Sequence, residues 1–236
     1  MIYSHSGDDG DVIYSLASLR QIGGVELRLT PSTCIVRSGY EPSKAERLAC
    51  LIRLQPYIRA CSYASRKEQH DGGWINCDGF RGCYKGSTIL DWQSDYLGLG
   101  NITHGPWLTV PSPKQISEVV IHRSPRYHND NFPWWDVSVG FAGRVVMVGS
   151  VEEHAQFCSR YGHVPYHPTR DFLELAQVIA GCSLFIGNQS SPMAVALGLG
   201  VKVVQEVCSW TPNCCLRDRP ANQYVRHWHD GIRWDV

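Results

Sequence analysis

Residues 181–200, GCSLFIGNQSSPMAVALGLG, constrain this chain more than any other stretch. Cys182 to Ile186 is a short apolar run of the kind that forms a strand buried on both faces of a parallel sheet. Pro192 to Leu199 is small and apolar and predicts a buried helix. Between them lies a polar turn, Gly187-Asn188-Gln189-Ser190-Ser191. Pro192 suits the first helical position, where a missing N–H costs nothing, and Ser190 or Ser191 suits the N-cap. Strand, polar turn and helix in this order place unsatisfied N–H groups at the carboxyl end of a sheet, which favours an anion. An ordinary capped helix in a βαβ unit reads the same way.

The rest of the chain repeats that rhythm. Met1 to His5 predicts a strand, the loop Ser6-Gly7-Asp8-Asp9-Gly10-Asp11 follows, and Val12 to Ile22 carries helical spacing up to Gly23-Gly24. Val25 to Leu29 is the next strand, Ser43 to Leu54 a helix with a Ser43/Glu46 capping box, and Ile58 to Tyr63 another strand. Ser65 to Gly73 reads as a polar loop, Trp74 to Cys77 as a strand, and Asp91 to Leu99 as a helix closed by Gly98 and Gly100. Three prolines between Pro106 and Pro113 mark a linker. Beyond it come strands at Val119–His122 and Val145–Gly149 and helices at Val151–Tyr161 and Asp171–Ala180. The last strand is expected at Lys202–Val207, with a polar, aromatic tail from Tyr224. The expected fold class is therefore α/β, with two Rossmann-like doubly wound domains, 1–110 and 111–236, facing a cleft where ligands bind.

Composition narrows the function classes. The 236 residues are 43% hydrophobic and 19% charged, and no run approaches the roughly 18 apolar residues of a membrane span. The start, MIYSHSGDDG, turns acidic before an apolar signal core can form, so a cytoplasmic location is expected. The formal net charge is zero, which argues against a broad face for nucleic acid. The ten cysteines include no CxxC pair and read as reduced thiols. Cys214-Cys215 near Cys208, and His227-Trp228-His229, lack zinc-ligand spacing, so no metal is expected.

Four constellations carry chemistry. In Asp8-Asp9-Gly10-Asp11 a carboxylate at a helix start either caps the helix or serves as a general base. The segment His122 to Trp134, HRSPRYHNDNFPW, brings Arg123 and Arg126 together, whose planar forks suit diphosphate oxygens; the alternative is a solvated basic loop. Glu206, ending the last strand, suits ribose hydroxyls or an arginine partner. Asp78 and Arg81 form an acceptor contact or simply an ion pair.

Gly10-Asp11-Val12 with Ile13 to Leu16, then His122 to Trp134, then Asp171 to Val204, together resemble the ordered motifs of a GT-B nucleotide-sugar glycosyltransferase, most closely the family 9 heptosyltransferases. The third is the family's strongest signature, usually close to GNDSGPMHLAAALG. The resemblance implies an inverting transferase that needs no metal or other cofactor, with a nucleotide diphosphate sugar as co-substrate. It implies Asp11 as catalytic base, with Gly10, Asp9, Asp78 and Arg81 on the acceptor side of residues 1–110. It implies Arg123, Arg126, Asn188, Gln189, Ser190 and Ser191 as donor phosphate ligands and Glu206 at the nucleoside, all in a donor domain, 111–236. Cleft closure about the Pro-rich segment would align the halves. Gln189, Ser191 and Ala194 stand where the family carries Asp, Gly and His, so the donor need not be ADP-heptose. The alternatives are a nucleotide-sugar hydrolase or epimerase, a phage-type transferase acting on modified DNA bases, and a non-catalytic nucleotide-sugar-binding module. The acceptor is open among saccharide, small molecule and modified nucleic acid.

Overall fold

The computed structural model describes residues 1–32, 39–82, 88–216, 219–226 and 232. It is an α/β protein with two parallel sheets. The first has the order β3-β2-β1-β4, from β1 (Ile2–His5), β2 (Val25–Leu29), β3 (Ile58–Tyr63) and the short β4 (Ile75–Asn76). The second has the order β6-β5-β7-β8-β9, from β5 (Val119–His122), β6 (Val145–Met147), β7 (Leu184–Asn188), β8 (Val203–Glu206) and β9 (Gln223–Val225). Every strand pair is parallel.

The helices between strands cover the sheets. α1 (Asp9–Ile22) packs on α8 (Ser191–Leu199), and α2 (Pro42–Ile52) packs on α7 (Phe172–Ala180). α1 is buried continuously from Val12 to Leu19, and α8 from Pro192 to Gly198, because each has a sheet on one side and the other helix opposite. The two sheets therefore share one apolar interior, running from Tyr3, Leu16 and Leu27 through Trp107 to Phe185, Met193 and Val203. The outer face of the second sheet has its own core around Phe132, Trp134 and Phe157, under α5 (Trp134–Gly140) and α6 (Val151–Tyr161).

The Pro-rich segment lies inside this seam. Trp107 Nε1 donates to Ile13 O at 2.8 Å, while the N–H groups of Trp107 and Leu108 reach Gly198 O at 2.8 and 2.9 Å. Tyr57 donates to Trp107 O at 2.6 Å. A Cβ at position 198 would lie 2.7 Å from the Leu108 side chain, so Leu108 would have to move to admit one. Prolines exclude regular structure here, but the apolar residues between them bury. The expected pivot is pinned to both halves.

Other expectations shift locally. Residues 65–73, read as a loop, contain α3 (Arg66–Asp71) with a Ser65/Glu68 capping box; having no buried residue, it shows no apolar period. Pro42 takes the start of α2, so Ser43 donates to Glu41 instead of capping, and Glu46 pairs with Arg53. α4 (Ile89–Tyr96) opens on Thr88 and ends before Gly98. β9 follows the strand expected to be last, and α5 falls where no helix was expected. Positions 227–231 and 233–236, which include His227, Trp228 and His229, lie outside the described residues.

Candidate active site

β7 extends through Asn188, so the predicted polar turn shrinks to Gln189 and Ser190. Ser190 is the N-cap of α8: its hydroxyl accepts from Met193 N at 3.4 Å and donates to Asn188 O at 3.1 Å. α1 begins opposite, on the loop 6–11, with Asp8 rather than Asp9 or Asp11 at its N-cap. A Cβ on Gly10 would lie 3.7 Å from the Ser191 backbone, so the two helix starts nearly touch. Two positive helix ends thus converge, an arrangement that stabilises anions.

A cavity of about 240 Å³ opens there, lined by Asp9, Gly10, Asp11, Arg126, Gln189, Ser190 and Ser191 among others. A second, of about 380 Å³, shares Asp9, Arg126, Gln189, Ser190 and Ser191 and continues past His122, Gly149, Glu153 and Thr169. Seven of the residues expected from sequence are gathered here. Arg126 spans the mouth to Asp8 at 3.1 Å, with the arginine exposed and Asp8 half-buried.

The acceptor-side acids differ in environment. Arg81 lays Nη2 on the Asp11 carboxylate and lies 3.5 Å from Asp78 through Nη1. Asp78 accepts from Ser6 N and Oγ at 2.9 and 2.7 Å and sits 3.0 Å from His5 Nδ1. Burial opposes its charge, but His5 and Ser6 outweigh this and hold the carboxyl well below the usual range. Asp78 and Arg81 are thus an ion-pair chain behind Asp11 and do not line either of these cavities. Asp9 accepts from the Tyr40 hydroxyl at 2.8 Å; burial pushes its carboxyl up, with Lys44 and Tyr40 partly offsetting this.

Four expected ligand contacts are turned elsewhere. Glu206 is fully buried: its two oxygens take Arg123 Nε and Nη2 at 2.9 Å each, Asn129 N at 2.7 Å and Trp134 Nε1 at 2.9 Å. That saturates the carboxylate and removes it from any ribose, and it draws Arg123 away from the helix start. Asn188 braces the loop after β5, accepting from Ser124 N at 2.9 Å and donating to Ser124 and Arg126. Gln189 donates to Thr211 O at 2.7 Å and Asn213 Oδ1 at 3.0 Å and accepts from Cys208 N at 3.1 Å, so its amide holds the loop 208–213.

Other residues enter that sequence reasoning gave no role. His122, 3% exposed, stands between Ser190 Oγ at 3.1 Å and Glu153 Oε2 at 3.3 Å. Burial of Glu153 is outweighed by His122 and Ser150, which hold its carboxyl low. Lys44 and Arg47 of α2 line the second cavity. A histidine closing an apolar strand, and two cations three apart on a helix, were the available signals. Among the described residues no group of three or more His, Cys, Asp or Glu forms a metal site, and no helix is long and apolar enough to cross a membrane.

No protein-family model matches the chain, and no curated protein sequence does. Solved structures do. A family 9 glycosyl transferase from Veillonella parvula superposes with a TM-score of 0.60 at 13% identity, over 86% of this chain and 79% of that one. The fold is that of the family 9 glycosyltransferases. The E. coli heptosyltransferase WaaC, solved with ADP, gives 0.56 at 11% identity over 87% and 86% of the two chains. E. coli ADP-heptose lps heptosyltransferase II gives 0.52 at 12% identity over 96% and 91%. In this family 9 fold, the paired helix starts and their cavities lie at the carboxyl ends of β1 and β7.

Proposed function

We propose that the protein is an inverting, metal-independent glycosyltransferase with two GT-B domains, 1–110 and 111–236. In this reading it moves a sugar from a nucleotide diphosphate sugar to an acceptor hydroxyl. The observation that carries this is the meeting of the first turn of α1, Asp9–Asp11, with the capped start of α8 across one cavity. The diphosphate sits on the wall shared by the two cavities, held by the α8 dipole, Ser190, Ser191 and Arg126, with Lys44 and Arg47 facing it. Asp11 takes the acceptor proton as the new C–O bond forms at the anomeric carbon, and the bond to the diphosphate breaks with its electrons on the leaving oxygen. The helix ends and Arg126 supply positive charge where a metal would otherwise stand. Eight described cysteines are unbonded thiols, in keeping with a cytoplasmic enzyme.

Thermal shift with ADP, UDP, GDP and their sugars tests the donor. Asp11→Asn should bind the donor as before and lose at least a hundredfold in transfer, the usual scale for a general base. Full activity in that variant overturns the role. One observation favours a second reading, a nucleotide-sugar-binding module: Arg81 already occupies Asp11. Donor binding with no transfer or donor hydrolysis on any acceptor would select it.

A further inference from the structure

Ser190, His122 and Glu153 form a hydrogen-bonded chain on the wall of the second cavity, and all three border it. Ser190 Oγ is 3.1 Å from His122 Nδ1, and the opposite ring nitrogen, Nε2, is 3.3 Å from Glu153 Oε2. Three separate elements bring them together. Ser190 caps α8, His122 closes β5, and Glu153 lies in the first turn of α6. Register fixes the first two, because His122 is paired with Gly187 across β5 and β7. Gly149 admits the third: its φ is 127°, and a Cβ there would lie 2.7 Å from Glu153 Oε2 and 2.8 Å from His122 Cδ2. The Ser150 N–H then holds Glu153 Oε2 at 2.8 Å.

A helix cap needs none of this beyond the serine, whose oxygen already accepts from Met193 N. The hydroxyl carries one hydrogen, and Asn188 O and His122 Nδ1 stand at the same 3.1 Å to receive it. Turned to Nδ1, it leaves the ring proton on Nε2. That proton faces the Glu153 carboxyl, where burial is outweighed by His122 and Ser150 and the group stays low. The order is that of a serine–histidine–carboxylate triad, recognised by geometry and roles rather than by sequence position. Ser191, the first residue of α8, lines the same cavity. The first N–H groups of a helix lack intrahelical partners, so the positive end of α8 lies beside the hydroxyl to meet a developing oxyanion. Phe172, Leu175 and Pro192 give the cavity an apolar side.

We propose that Ser190, His122 and Glu153 are a nucleophilic triad that hydrolyses carboxylic esters of short acyl chains, an activity separate from the sugar transfer proposed above. Ser190 Oγ attacks the ester carbonyl carbon while His122 Nδ1 takes the hydroxyl proton. The ester C–O bond breaks, and the leaving alkoxide takes that proton from Nδ1. Water then attacks the acyl-serine with His122 again as base, which releases the carboxylic acid and restores the hydroxyl. Glu153 is a positioning residue that keeps the ring in its tautomer.

The test treats the whole native chain with a fluorophosphonate probe and with 4-nitrophenyl acetate. The expected result is a label placed on Ser190 by tandem mass spectrometry, with a burst of nitrophenolate that leaves the acetyl group on the same residue. Ser190→Asn keeps an N-cap acceptor and should abolish both. His122→Gln should slow labelling at least a hundredfold. Glu153→Gln keeps the capping box with Ser150 and should lower kcat at least tenfold with KM unchanged. Circular dichroism checks that each variant folds. No label on native protein, a label elsewhere, or labelling of His122→Gln at the native rate overturns the proposal; the last result would leave His122 and Glu153 as supports of the cap. Thermal shift with ADP, UDP and GDP follows the donor separately. Ser190 labelling without any nucleotide shift keeps the triad and removes the transferase reading, and nucleotide shifts without labelling do the reverse.

Discussion

Arg123 meets Glu206 as a fork, with Nε and Nη2 each 2.9 Å from a carboxylate oxygen, and both side chains are buried at the carboxyl ends of β5 and β8. Trp134 Nε1 and Asn129 N complete the shell. Removing one member strands the other as a buried charge. Glu206→Ala should lower the unfolding free energy by about 3–5 kcal/mol, read from urea denaturation. A paired Arg123→Met/Glu206→Leu variant should recover part of that loss, since no charge is then left unpaired. Native stability in Glu206→Ala would mean the fork contributes nothing.

Arg81 fixes the carboxylate of Asp11 from behind the cavity while also touching Asp78. Arg81→Ala should therefore lower kcat roughly tenfold, a barrier change of about 1.4 kcal/mol, with Arg81→Lys intermediate. The nucleotide thermal shift should stay at the native value, because Arg81 lies outside both cavities. A parallel fall in nucleotide affinity would assign Arg81 to the donor instead.

Asp9 supplies a pH test. Its folded carboxyl is raised by burial, so the native state holds the proton more tightly than the unfolded chain does. The ionised form therefore costs stability above the folded pKa, and the cost disappears as pH falls below the unfolded pKa. Asp9→Asn still accepts from Tyr40 and should raise Tm at pH 7 by roughly 2–4 °C for each ~1 kcal/mol relieved. The gain should vanish in acid. Differential scanning fluorimetry from pH 3 to 8 reads this directly, and an unchanged or lower Tm at pH 7 contradicts it.

Ser190 joins two jobs, capping α8 and contacting His122. Ser190→Ala should cost about 1 kcal/mol of stability through the cap and weaken nucleotide binding several-fold, measured by calorimetry. Ser190→Thr keeps the hydroxyl and should restore most of both. Loss of stability with unchanged nucleotide affinity would confine Ser190 to the cap.

Where burial sets the pattern, the sequence was informative. The apolar runs of β5, β7 and β8 and the all-round apolar α8 gave two parallel sheets and a polar turn before α8, read over Gly187–Ser191, of which the structure keeps Gln189 and Ser190. The acidic segment from Asp8 into the first turn of α1 was found for the same reason, since it interrupts a strand–helix alternation. What stayed hidden depends on contacts between distant residues. Nothing local distinguishes a Glu206 facing ribose from one facing Arg123, 83 residues away. Gln189 looks like a substituted ligand until Thr211 and Asn213 are placed against it. α3 was missed because a helix with no buried face has no period to read.

The burial of Trp107 between Ile13 and Gly198 bears on how the molecule moves and how it can be divided. With one interior common to both sheets, heating should melt the chain in a single cooperative step. Separate expression of residues 1–110 and 111–236 should yield two fragments that expose the α1 and α8 faces and aggregate, and that regain solubility only when made together. Breathing of the whole body about the proline segment would have to break the Trp107 and Leu108 bonds on every turnover.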